Sequence, residues 1–392
     1  MFTVTNFGRL LKGLPRGQFD QLVKRHKADK HCKRFTHWKH LVTMIYAQLS
    51  GTTGLRPLEA AFNGLRVHHH HLGVDRIHRT TVADANEKRL DTVFAAVAAG
   101  LMNRVGGELR RDAKEFLYLL DSTPIILKGR GFDNWTEQNK TSRTQGLKMH
   151  MMVAGEETLP VWQAITAANV NDVSLAREVP LEPGGIYVFD KGYCDYRFWH
   201  NISQRKALFV TRFKSNAALE LVKPRRVAKK AAGIVESDEI VRFKHKNHRG
   251  KSKNPYEKPL RRITITRPGK STPLVLATND MTSGALEIAQ RYKERWAIEL
   301  FFKWIKQHLK IKQFFGRSPN AVRIQLLTAL ISYLLAAILK KADASATTLW
   351  NYLSELRASL LQRLVIDTEY YRRRRAEQAE MAARQLSLEY AL

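Results

Sequence analysis

Cysteine is almost missing: the 392 residues hold two, Cys32 and Cys194. Neither has a thiol near it in the sequence, so a disulfide framework and a four-cysteine zinc site are both excluded. Acidic side chains are scarce as well. There are 36 Asp and Glu against 66 Lys and Arg, for a net charge of +30 and a pI near 10.2. A surface that repels itself this strongly calls for a polyanion, and nucleic acid suits a chain of this length. A ribosomal protein would be shorter, and a peripheral membrane protein would gather its charge on one helix. No apolar core of signal-peptide length lies in the opening MFTVTNFGRLLKGLPRG. The most apolar stretch, residues 324–339, contains Gln325 and Ser332 and is short for a bilayer crossing, so it reads as a buried helix. An intracellular protein is the expectation.

What is present is a folded chain, 44% hydrophobic and long enough for two or three domains. Residues 1–112 are expected to be helical. Phe7, Leu10, Leu11 and Leu14 recur at helical spacing, as do Leu41, Val42, Ile45 and Leu49. Pro57 suits a first helical turn, and Thr80 and Thr81 offer hydroxyls to cap a helix over 83–102. Short helices with basic turns are compatible with a helix-turn-helix module. Residues 113–212 read differently, as buried strands in an α/β arrangement. Phe116 to Leu120 is a continuous apolar run ending on Asp121, and Ile186-Tyr187-Val188-Phe189 is another ending on Asp190. Two more strands, over 148–153 and 159–165, flank a turn at Gly155, and a further one covers 208–211. Residues 213–270 form a basic, β-rich insertion with exposed strands at 240–243 and 262–266. Residues 271–342 return to the core, with a strand at 274–277 and one long helix over 283–311, and 343–392 are helical and charged.

Three acids stand out. Asp121 and Asp190 would sit at the carboxyl ends of adjacent strands, where α/β sheets hold their ligands. One such Asp alone reads better as a strand terminator or helix cap. On the long helix, Tyr292, Arg295, Glu299 and Lys306 fall within roughly 60° of one another at about 100° per residue, with Ala297, Ile298, Phe301 and Ile305 opposite. A solvated face with an Arg295–Glu299 pair is the plain alternative.

That stripe resembles the Tyr-x2-Arg-x3-Glu-x6-Lys signature of the DDE transposases of bacterial insertion sequences, specifically the insertion-sequence-four family. Asp121 stands in Leu-Leu-Asp-Ser-Thr and Asp190 in Phe-Asp-Lys-Gly-Tyr, similar to that family's two Asp motifs and in its order. The resemblance is strong over about 115–340. It implies a ribonuclease-H-like mixed sheet core with a β-rich insertion, flanked by a helical N-terminal DNA-binding region and a helical C-terminal region. It implies a cut-and-paste DNA transposase in which Asp121, Asp190 and Glu299 are catalytic and hold two Mg²⁺ or Mn²⁺ ions. Crowded carboxylates should push at least one pKa up until metal arrives, and oxygen ligands suit hard ions. Tyr292, Arg295 and Lys306 would grip transposon-end phosphates, with Trp296 and Lys303 lining the same groove. Trp304 points away from the stripe. The expected partners are the terminal inverted repeats and target DNA, with a homodimer in the synaptic complex at the bacterial nucleoid. The alternatives are a catalytically silent DNA-binding regulator and a metal-dependent nuclease without strand transfer.

One departure concerns base stacking, for which some relatives use a tryptophan in the insertion. No Trp occurs between Trp199 and Trp296, leaving Phe243 or Tyr256 as substitutes. The four histidines of 68–71 read as a solvated loop, since four consecutive side chains cannot face one ion. Cys194 reads as a small buried residue. The four arginines of 372–375 suit a DNA contact or an exposed helix face equally.

Overall fold

The computed structural model describes residues 5–112, 116–155, 157–244, 247–248, 252–267, 269, 271–308, 313–362, 376 and 380. The arginines of 372–375 fall outside these. Seven helices come first: α1 (Asn6–Leu11), α2 (Arg16–Arg25), α3 (His37–Ser50), α4 (Leu55–Gly64), α5 (Arg66–Leu72), α6 (Arg79–Lys88) and α7 (Thr92–Asp112). The helix expected over 83–102 is therefore two helices, because Arg89 turns to an extended conformation with ψ 138°. The histidines of 68–71 lie in α5 rather than a loop. His69 is buried, its Nε2 2.9 Å from the Phe62 carbonyl oxygen, while His70 and His71 are exposed.

A sheet of ten strands follows, from β1 (Leu117–Ile126), β2 (Glu137–Gln138), β3 (Gln145–Ala154), β4 (Leu159–Ala167), β5 (Ile186–Phe189) and β6 (Leu208–Arg212) to β7 (Leu219–Pro224), β8 (Val235–Phe243), β11 (Leu260–Ile265) and β12 (Leu274–Thr278). A separate small ribbon joins β9 (Asn247–His248) and β10 (Ser252–Lys253). The short α8 (Asp172–Ala176) precedes β5, and α9 (Tyr196–Gln204) connects β5 to β6. β1 pairs in parallel with β5 and β5 with β6, while β3 runs antiparallel to both β1 and β4. The order β4-β3-β1-β5-β6 is that of a ribonuclease-H-like core. Gly146, at φ +133°, lets β3 cross close to β1, for a Cβ there would stand 2.2 Å from the Ile125 carbonyl oxygen.

The strands of 219–278 continue this same sheet, because β12 pairs with β6 and leads on through β11 and β8 to β7. The strands expected to be exposed at 240–243 and 262–266 carry fully buried Val241 and Ile263. Arg261 locks this extension in place. Only 2% exposed, it grips Asp238 through Nε at 2.7 Å and Nη2 at 2.6 Å, and its Nη1 reaches the carbonyls of Asp280 and Ser283.

Among the described residues four more helical elements follow: α10 (Ala285–Glu294), α11 (Trp296–His308), α12 (Pro319–Ala342) and α13 (Leu349–Ala358). The single helix expected over 283–311 breaks at Arg295. α12 is the buried helix read from 324–339, started by Pro319 in its first turn and by Ser318, whose hydroxyl accepts from Ala321 N at 3.2 Å. Apolar side chains of α1, α3 and α7, of α10–α13 and of one sheet face share a single core. The opposite sheet face packs Leu120, Tyr187 and Phe189 against Phe198 and Trp199 of α9. Residues 5–112 thus share their core with the sheet and with α10–α13.

Removing the Arg261 side chain leaves the Asp238 carboxylate buried with Arg225 as its remaining cation among the described residues. Arg261→Ala should cost about 3–5 kcal/mol in urea unfolding, the usual penalty for stranding one member of a buried pair.

Candidate active site

The acids are set level by strand register. β1 and β5 pair in parallel through Leu120↔Phe189, so the next residues, Asp121 and Asp190, emerge side by side. β5 and β6 pair through Val188↔Val210, which puts Arg212 level with Asp190 on the following strand. Asp121 does not end its strand as expected. β1 runs on to Ile126 because its antiparallel partner β3 keeps pairing, with Ser122↔His150 and Ile126↔Gly146. The parallel partner stops, and Asp121 sits at that step. Asp190 leads into a single 3-10 turn, Lys191–Tyr193.

Glu299 arrives from α11, 109 residues beyond Asp190 in sequence, in the first turn of a helix whose buried Ile298, Phe301 and Ile305 face the core. Ala297 is only half-buried. Arg295 stands at the break between α10 and α11 and joins the acids. Its Nη2 donates to Glu299 Oε1 at 2.6 Å and its Nη1 to Asp121 Oδ2 at 3.3 Å. Two carboxylates separated by 178 positions therefore grip one guanidinium fork. Asp190 is held by Arg212 Nη2 at 2.5 Å, with the hydroxyl of buried Tyr292 3.5 Å away. Arg295 also lies over the Tyr292 ring, 5.8 Å from its centroid.

The electrostatics bear the marks of crowding. Burial pushes the Asp121 carboxyl up to about 6, and the nearby Glu299 and Asp190 charges add to it against the Ser122 N–H and Arg295. Burial also raises Asp190, but the Arg212 hydrogen bond, the Lys191 N–H and the charges of Arg212 and Arg295 outweigh it and hold that carboxyl below its ordinary value. Nε of Arg212 and Nε of Arg295 are buried with no partner among the described residues.

The remaining stripe residues fan out along α11. Lys303 and Trp296 are exposed, Trp296 at 58%, and Lys306 is half-buried on the same helix. Trp304 turns away as read, stacking on Trp350 at 5.8 Å. The substitutes for a stacking tryptophan are occupied elsewhere. Tyr256 is 4% exposed, and Phe243 packs on Tyr196 at 4.3 Å, both in the aromatic cluster around Trp199. Cys194 is buried, as its type and place implied, and burial pushes its thiol up to about 11.

Sequence reading missed Arg212. The signal was available: 208–211 is a buried run followed by a charged residue, the same pattern that marked both Asp residues. It also missed a trio of metal-capable groups, Asp29, Cys32 and His37, whose donor atoms lie within 4.8 Å of one another. That trio already has its cation. Asp29 accepts from His37 N at 2.8 Å and lies 2.7 Å from its Nδ1, and Arg89 Nη2 sits 3.4 Å from Cys32 Sγ.

The family described as Transposase DDE domain matches residues 113–335, more than half of the chain. The chain belongs to the DDE transposase family. Residues 3–75 match a domain of unknown function (DUF4372). A protein named as the transposase y4zB of Sinorhizobium fredii is 45% identical over 260 residues, 66% of this chain and 70% of that one. A protein named as the transposase for insertion sequence element IS4SA of Synechocystis is 28% identical over 182 residues, 46% of this chain and 48% of that one. The solved piggyBac transposase synaptic complex with hairpin DNA covers 86% of this chain and 74% of its own at 11% identity, with a TM-score of 0.43, too low to bear on the site. This DNA transposase accordingly uses divalent metal, as DDE domains do.

The raised Asp121 carboxyl predicts how the metal-free transposase responds to pH. The folded state holds the Asp121 proton up to about pH 6, whereas the unfolded chain releases it near 3.8, so stability falls as pH rises through that window and then levels off. In chelator, Asp121→Asn should be more stable than wild type at pH 8 by about 1–3 kcal/mol and indistinguishable from it near pH 3, below both the folded and the unfolded value, read by urea unfolding.

Proposed function

We propose that Asp121, Asp190 and Glu299 are the catalytic triad of a cut-and-paste transposase and hold two Mg²⁺ or Mn²⁺ ions. The observation that carries the reading is the meeting of three carboxylates, from β1, the end of β5 and α11, around Arg295, Arg212 and Tyr292. The donor set fits hard divalent ions, being all carboxylate oxygen without thiolate or imidazole. The two guanidinium groups occupy the electrostatic role such ions would take over. When bound, the ions supply the charge that makes a water or a 3′-hydroxyl nucleophilic and that stabilises the leaving 3′-oxygen.

The chain's own groups do the rest. Asp121 must give up its proton to bind metal, which the neighbouring Arg295 charge favours. Arg295, released from its two acids, turns its fork to a scissile-strand phosphate and brings out an Nε that is buried without a partner among the described residues. Arg212 has the same spare donor beside Asp190. Tyr292 supports Arg295 from below, and Lys303, Lys306 and Trp296 extend the grip along α11 to transposon-end DNA. Two ends must be paired before they are joined to a target, so a homodimer of this chain assembles the synaptic complex on the terminal inverted repeats. A silent DNA-binding regulator is the weaker reading, since clustered acids beside phosphate oppose binding unless metal joins them.

Asp190→Asn should abolish cleavage of an end-containing DNA while leaving its binding within about 3-fold, because DNA affinity rests on the basic groups. Cleavage at the wild-type rate contradicts the assignment. Lys306→Ala should weaken end binding and lower the slope of log affinity against log salt by about one. A slope equal to wild type removes Lys306 from the phosphate ligands.

A further inference from the structure

Ser122 and Asp121 are neighbours in a strand, so their side chains leave the sheet on opposite faces. Asp121 turns toward α11, and Ser122 toward a second polar cluster. Ser122 Oγ donates to Asp172 Oδ1 at 2.9 Å, while its own backbone N–H donates to Asp121 Oδ1 at 2.8 Å. One residue thus ties a metal-site carboxylate to a fourth acid behind it.

Asp172 is itself anchored. It opens α8, whose N-cap is Asn171, and Lys148 Nζ donates to its Oδ1 at 3.1 Å and to the Val170 carbonyl at 2.9 Å. His150, fully buried and paired with Ser122 across the strands, places Nδ1 3.5 Å from the same oxygen. The other carboxylate oxygen faces the turn that follows Asp190: a Cβ built on Gly192 would stand 3.9 Å from Asp172 Oδ2. Next to Gly192, Tyr193 is buried under this cluster. Asp172 therefore hydrogen-bonds the segment carrying Asp121 and lies beside the turn that follows Asp190, and it does so from outside the acid pocket.

We infer that Asp172 is a positioning residue that braces the Asp121 and Asp190 segments against each other and, through Ser122, fixes the Asp121 carboxylate for metal binding. A ligand carboxylate already held by a hydrogen bond has less rotamer freedom to lose when the ion arrives. Partners of this kind behind a metal ligand are worth about 10–100-fold in metal affinity. Lys148 keeps the Asp172 charge balanced locally, so the brace adds little repulsion to the three acids. The inference rests on the reading of Asp121 and Asp190 as metal ligands.

The test is Mn²⁺ binding to the full-length protein without DNA, followed by the electron paramagnetic resonance of free Mn²⁺, beside thermal unfolding of each variant. Ser122→Ala and Asp172→Ala should weaken Mn²⁺ binding about 10-fold, while Ser122→Thr, which keeps both the hydroxyl and the N–H, stays within about 2-fold of wild type. Ser122→Ala decides the matter if Asp172→Ala does not fold. Asp121→Asn separates this inference from the one beneath it. If Asp121→Asn loses Mn²⁺ but folded Ser122→Ala and Asp172→Ala bind it as wild type does, Asp172 is not a positioning residue. If Asp121→Asn also binds as wild type, the ligand reading and this inference fall together.

Discussion

Three carboxylates brought together in a partly desolvated pocket repel one another, and the surrounding structure exists to hold them there regardless. In the metal-free protein the repulsion is met by two guanidinium groups, Arg295 shared between Asp121 and Glu299, and Arg212 on Asp190. The compensation is incomplete, for burial and the neighbouring acids still leave the Asp121 carboxyl near 6. That shortfall of positive charge, in a cluster lined by carboxylate oxygen, is what the proposed divalent ions would supply.

Rigid elements supply the positions. Asp121 and Arg212 lie in strands and Asp190 follows directly on the strand between them, so their spacing is set by the register of three adjacent parallel strands. Glu299 is set by α11, whose Ile298, Phe301 and Ile305 lie in the core shared with α12 and the N-terminal helices. The helix break at Arg295 lets one residue face both the strand and the helix that carry its acids. On the far side of the sheet extension, the buried Arg261 ties β8 and β11 to the segment that starts α10. The insertion is thereby part of the catalytic scaffold.

Much of this was legible in the residues. An apolar run ending in a charge revealed β1 and β5 with their acids, because a buried parallel strand has no polar face and its first polar residue marks the mouth of the sheet. Arg212 obeys the same rule, closing the buried run of 208–211. Helical periodicity placed Glu299, Arg295 and Tyr292 on one side but could not see the break at Arg295. A kink of one residue hardly disturbs the apolar spacing on which the reading relied. The strands at 240–243 and 262–266 read as exposed because their sequences mix charges with apolar residues. Arg262 is met by Glu239 on the neighbouring strand and the flanking Arg261 by buried Asp238, and pairing across strands is not local information. Asp172 and His150 were illegible for the same reason: their meaning comes from the β1–β3 register, which no single segment carries.

Diffraction from crystals of the protein soaked in Mn²⁺, collected at a wavelength where manganese scatters anomalously, tests the central claim most directly. The account predicts anomalous density among the carboxylates of Asp121, Asp190 and Glu299, with the Arg295 fork turned away from at least one of its acids. Manganese bound elsewhere, with Arg295 still joining Asp121 to Glu299, would contradict it.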